Sequence, residues 1–122
     1  MIKKTVTYVD YNGVERTEDF YFNLTKAEVA EMEMSVEGGF SKMLEEIVAS
    51  KDNVKIVSLF KQMVLKAYGE KSADGRRFMK SEEISNAFSE TEAYSEIFMS
   101  LALNESEAAA FVNGIMPANI NK

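Results

Sequence analysis

Hydrophobic and polar positions alternate along the first two dozen residues, and then the period lengthens. Over residues 2–24, two stretches rich in Val, Tyr, Thr and Phe flank Asn12-Gly13, a strong hairpin signal. Two registers are open. A two-residue turn pairs Tyr11 with Val14 and sets Val6 and Tyr8 opposite the face of Phe20 and Phe22. A three-residue loop, with Gly13 as a left-handed bulge, pairs Asp10 with Val14. It gathers Ile2, Val6, Tyr8, Phe20 and Phe22 on one face. One buried face is cheaper than two half-buried ones, so the bulged loop is expected. A two-stranded sheet is not stable alone and must dock on something.

From residue 25 the spacing becomes helical. Thr25-Lys26-Ala27-Glu28 is a capping box, with Leu24 and Val29 placed as a hydrophobic staple. The first helix should therefore start at 25 and carry Val29 and Met32 inward. Gly38-Gly39 interrupts it. The next helix shows Phe40, Met43, Leu44, Ile47 and Val48 on one side. Asp52 or Asn53 caps a third, which presents Ile56, Phe60, Met63, Val64 and Ala67, widened by Val57, Leu59 and Tyr68. A helix apolar over much of its girth is expected at the centre of the fold. Gly69 reads as its stop, and Glu70–Lys80 as a loop with an Asp74-Gly75 turn. Ser81 caps a short helix through about Phe88. Ser89 with Glu92 forms a second capping box, ahead of Tyr94, Ile97, Phe98 and Leu101. Asn104 opens a last helix through about Asn113, carrying Ala108, Phe111 and Val112, which Gly114 and Pro117 end. The expected fold is α+β: one N-terminal β-hairpin packed on a mainly helical domain of about five helices. A single domain spans 1–117, with a frayed tail at 118–122.

Composition narrows the chemistry. The chain has 122 residues and suits one domain. It contains neither His nor Cys, which removes the commonest general base, the best thiol nucleophile and the usual transition-metal ligands. No apolar run approaches the roughly 20 residues that span a bilayer, and no secretory signal follows Lys3-Lys4. Lack of cysteine fits a reducing compartment. The net charge is −6, from 14 Lys+Arg against 20 Asp+Glu. An acidic chain argues against nucleic acid and anionic membranes as partners. It favours solubility.

Candidate catalytic constellations dissolve on inspection. Glu45-Glu46 and Glu82-Glu83 are adjacent in helices and point about 100° apart, so they read as solvated faces. Glu105 with Glu107 reads as helix-start charge. Asp10-Tyr11-Asn12-Gly13 lacks the ligand count of a calcium loop and reads as a turn. Gly69-Glu70-Lys71-Ser72 lacks phosphate-loop spacing and a preceding strand. No enzyme and no cofactor is expected. Arg76, Arg77 and Lys80 flank Phe78, a basic loop suited to acidic helices or to an acidic partner. The eight methionines are the least ordinary feature. Met43 and Met63 sit in apolar stripes and read as core. Met34, Met79 and Met99 fall off those stripes and suit an exposed, adaptable grip on helical targets.

The order of these features resembles the tail assembly chaperones of phages with long non-contractile tails. It runs from Phe20-Tyr21-Phe22-Asn23-Leu24-Thr25-Lys26-Ala27-Glu28, through the helix pair around Gly38-Gly39-Phe40 and the helix 56–68, to Ser89-Glu90-Thr91-Glu92-Ala93-Tyr94-Ser95-Glu96. The most distinctive part is Tyr68-Gly69-Glu70-Lys71-Ser72-Ala73-Asp74-Gly75-Arg76-Arg77-Phe78. The resemblance implies a chaperone that binds the tape-measure protein, the long, largely helical chain that sets tail length. It would keep that chain soluble until tail-tube subunits polymerise around it. The tail-tube protein is a second candidate partner, and self-association is left open. The resemblance further implies action in the host cell cytoplasm, absence from the mature virion, and a short form of a product that frameshifting extends.

The expected partner surface is Arg76, Arg77, Phe78 and Met79, with Met34 and Met99, the arginines pairing with acids on the target. Competing readings are a virion structural component, a carboxylate enzyme and a small regulator of a host protein. A tail-tube or connector subunit needs more sheet than one hairpin supplies.

Overall fold

The N-terminal hairpin forms in the bulged register. In the computed structural model, which describes residues 1–117, β1 (Ile2–Val9) pairs antiparallel with β2 (Glu15–Phe22), Ile2 facing Phe22 and Val9 facing Glu15. Asp10 N–H donates to Val14 O at 2.9 Å, and Gly13 sits at φ 80°, a conformation that only glycine adopts cheaply. The Asp10 carboxylate accepts from Asn12 N–H and Val14 N–H and pairs with Arg16 Nε at 2.6 Å. These bonds, the Arg16 one first, hold its carboxyl below the usual range. Its acceptor capacity is thus used within the turn.

Ile2, Val6, Tyr8, Phe20 and Phe22 face the helices, and Phe22 is fully buried. The outer face is polar. Thr5 Oγ1 donates to Asp19 at 2.6 Å, and the Thr7 and Thr17 hydroxyls share a hydrogen bond. Cross-strand pairs of this kind support a wet sheet face.

The sheet has four strands, not two. Residues 68–79, read from the sequence largely as a loop, form a second hairpin of β3 (Tyr68–Lys71) and β4 (Phe78–Met79), and the strand order is β1-β2-β3-β4. Strands of four and two residues are too short to show a period of two. The addition is small, but it changes the role of Gly69. That glycine does not stop a helix. It is a buried strand residue, paired with Tyr21, on which the Phe78 ring lies: a Cβ there would come within 2.7 Å of Phe78 Cε2.

The described residues form six helices, four of them starting at the expected caps: α1 (Lys26–Ser35), α2 (Phe40–Ser50), α3 (Asn53–Ala67), α4 (Glu82–Ser89), α5 (Glu92–Ala102) and α6 (Glu105–Ile115). Thr25 and Glu28 close the capping box reciprocally. Asp52, Ser81 and Asn104 cap α3, α4 and α6. Two expected boundaries move. Thr91, not Ser89, caps α5: Ser89 remains in α4 with its hydroxyl on Asn86 O, while Thr91 Oγ1 accepts from Tyr94 N–H. The helix α6 runs through Gly114, which does not end it. Ile2 occupies the space a side chain would take there. The expected tail at 118–122 lies outside the described residues, as do the side chains of Ser41, Leu44, Ile47, Val48 and Glu105.

An aromatic cluster joins sheet to helices. The Phe22 ring centroid lies 5.2 Å from Phe111, 5.7 Å from Tyr68 and 5.8 Å from Phe88. Tyr68 stacks on Phe88 at 3.9 Å. Leu59, Met63, Val64 and Ala67 of α3, with Ala93, Ile97 and Leu101 of α5, complete the interior. The third helix packs against α2, α4 and α5, as its wide apolar stripe predicts.

Candidate functional site

Three methionines meet in an open groove. The end of α1 supplies Met32, Ser35 and Val36. Gly38 and Gly39, at φ 84° and 94°, turn the chain back so that Phe40 and Met43 of α2 form a wall. Leu59, Gln62, Met63 and Lys66 of α3 close the other side. The groove encloses about 360 Å³ and opens to solvent. Met32 and Met63 are buried and make its floor, whereas Phe40 and Met43 are half-buried. Among the described lining residues, Lys66 is the only charge. Unbranched thioether side chains adapt to irregular apolar shapes. The groove can therefore take an apolar side chain or one turn of a helix, with a cation at its rim. Among the described residues, no group of three or more acidic side chains could hold a metal ion.

This site differs from the one the sequence suggested. Met63 is core, as read, and it also floors the groove, whereas Met43, read as core, is half-buried and forms the wall. The available signal was methionine on three successive helical stripes, with two glycines setting the distance between the first two. Periodicity marks both as inward and cannot tell an interior from a concave rim.

The sequence-derived surface is divided. Arg76, Arg77, Phe78 and Met79 come together on the β3–β4 hairpin, whereas Met34 lies on α1 and Met99 on α5. Met34 is 79% exposed and Met99 48%. Phe78 and Met79 are half-buried, Phe78 lying against Gly69 and Met79 pairing with Glu70. The hairpin tip is tightly tied. Ser72 N–H donates to Arg77 O, Arg77 N–H to Ser72 Oγ, and Arg76 N–H to Asp74 Oδ1. The Ser72 hydroxyl and the Arg76 N–H hold the Asp74 carboxyl below its ordinary range. Arg76 and Arg77 are exposed, and among the described residues neither makes an ion pair. Of this basic segment it is Lys80 that turns inward, onto Glu28 and the Asn23 carbonyl.

Among the described residues no helix is long and apolar enough to cross a membrane. No curated protein and no solved structure matches this chain. A family model described as phage tail assembly chaperone matches residues 1–122, and the α+β scaffold, capping-box helix and 68–78 hairpin all fall within that match. The chain belongs to the phage tail assembly chaperone family.

Proposed function

We propose that this chaperone holds the tape-measure protein by its apolar helix faces and keeps it soluble until tail-tube subunits polymerise around it. The observation that carries this reading is the open methionine groove between α1, α2 and α3. Long amphipathic helices aggregate when their apolar faces are bare. A client of that kind needs a soft, shallow apolar contact on a soluble carrier, and the acidic chain, at −6, supplies the solubility. The protein acts by binding, with no catalysis and no cofactor. Tube subunits displace it through their greater collective affinity, so no nucleotide is spent. It works in the host cytoplasm and leaves before the virion is complete.

Co-expression with the tape-measure protein tests this. Wild-type chaperone is expected to keep the tape measure in the supernatant after centrifugation. Met43→Glu, which puts a charge on the groove wall without touching its buried floor, is expected to send it to the pellet. Met34→Glu and Met99→Glu are the comparison. If they abolish solubilisation while Met43→Glu does not, the client sits elsewhere. Detection of the protein in purified virions by mass spectrometry would replace the chaperone reading with a structural one.

A further inference from the structure

A second concavity lies at the base of the β3–β4 hairpin. Phe20, Tyr68 and Phe88 form its floor, and Glu70 and Glu83 stand at its rim, around a volume of about 270 Å³. Its described lining carries no basic residue, and among the described residues neither rim carboxylate makes an ion pair. The half-buried Tyr68 ring, backed by the buried Phe20 and Phe88 and set below two carboxylates without ion pairs, forms a receptor for a cationic side chain, an arginine above all. The field there is negative. The Tyr68 hydroxyl is pushed above its ordinary range by burial first, and then by the charges of Glu70 and Glu18.

The same hairpin carries the matching donor. Arg76 and Arg77 stand exposed at its tip, in a turn fixed by Ser72 and Asp74, with no ion pair among the described residues. We infer that the aromatic cup of one copy receives the arginine tip of a second copy, so that two chains associate through paired β3–β4 hairpins. One rim carboxylate of the cup, Glu70, lies on the hairpin that carries the tip, and the other, Glu83, lies on α4 just after it. A single two-fold axis between two hairpins therefore makes both contacts at once, as an isologous dimer requires. Each chain carries −6 overall, which opposes association at long range. A Debye length of about 8 Å at physiological salt screens that repulsion and leaves contact pairs attractive. The dimer does not depend on the client groove and forms without a tape measure.

Sedimentation equilibrium on the purified full chain tests the contact. Wild type is expected to approach dimer mass at high concentration. Arg76→Glu/Arg77→Glu and Glu70→Arg/Glu83→Arg are each expected to be monomeric, because tip and cup then carry like charges. Mixing these two variants in equal amounts is expected to restore a heterodimer, since both contacts are again opposite in sign. Circular dichroism of each variant confirms that it folds. A wild type that stays monomeric overturns the proposal. So does a dimer that survives both reversals. A monomeric wild type whose Tyr68 and Phe88 ring resonances shift with acetyl-arginine amide overturns it too, and hands the cup to a foreign cation.

Discussion

Lys80 Nζ lies 2.7 Å from Glu28 Oε2 and 2.7 Å from the carbonyl oxygen of Asn23. Glu28 also accepts the Thr25 N–H in the capping box of α1. One carboxylate thus completes a helix cap and fastens the second hairpin to the first helix. That matters because α1 buries only Val29 and Met32, and α1 forms one wall of the methionine groove.

Partial burial raises the Glu28 pKa, but the Lys80 and Thr25 hydrogen bonds outweigh it and leave it below the ordinary 4.5. A depressed folded pKa contributes stability above the unfolded value and loses it as pH falls through the folded one. Glu28→Gln should cost about 1 kcal/mol at neutral pH. Urea melts of wild type and variant should differ at neutral pH and converge as acid protonates Glu28. A difference that does not narrow as pH falls below 4.5 would show that charge is not its source.

Gly114 and Ile2 form a tight fit. A Cβ on Gly114 would come within 2.3 Å of Ile2 Cδ1 and 2.5 Å of Cγ1, whereas Ile2 Cβ lies 4.0 Å away. Gly114→Ala should therefore destabilise the wild type by about 1–3 kcal/mol. In an Ile2→Ala background the clash is gone. There the same change should stabilise by a few tenths to about 1 kcal/mol through helix propensity. Thermal melts of the four proteins give the double-mutant cycle, and a change of the same sign in both backgrounds would refute the contact.

Phe22 is fully buried against Tyr68, Phe88 and Phe111, and it joins the sheet to α4 and α6. Phe22→Ala should be the costliest single truncation, at about 3–5 kcal/mol. Met34→Ser, at an exposed site, should stay within about 0.5 kcal/mol of wild type. Urea denaturation at neutral pH ranks them.

Gly69→Ala meets two obstacles of different kinds. The Phe78 ring edge is the end of a side chain, but Met79 O, at 3.0 Å from the new Cβ, is backbone. A loss of about 1–3 kcal/mol is expected. Adding Phe78→Leu should recover only part of it, because the carbonyl remains. Amide exchange at Lys71 and Met79 reads the pairing of β3 with β4 directly.

Much of this fold was legible because its signals are local. The bulged register of the first hairpin follows from where Ile2, Val6, Tyr8, Phe20 and Phe22 must all point. Four of the caps follow from a side-chain oxygen and its spacing to a backbone N–H. The misread stretches depend on contacts distant in sequence. Gly69 resembles a helix stop until Phe78 is known to lie over it. Gly114 resembles another until Ile2 is placed beside it. Ser89 and Glu92 have the spacing of a capping box, but α4 keeps Ser89. The candidate site was harder still. Met32, Met43 and Met63 sit at inward-facing positions, and only the packing of three helices makes those positions a groove. Arg76 and Arg77 were visible as a basic pair. That the same hairpin also carries Glu70, on the rim of an acidic concavity, was not.

The Met1 ammonium donates to the carbonyl of Gly114 at 3.3 Å, and Leu24 N–H donates to Ile115 O at 2.9 Å. Start and finish of the described chain therefore meet beside the last turn of α6. A short linker should close the molecule into a ring, which could be reopened at the Gly13 or Gly75 turn as a circular permutant. A polypeptide fused ahead of Met1 therefore leaves beside the last turn of α6.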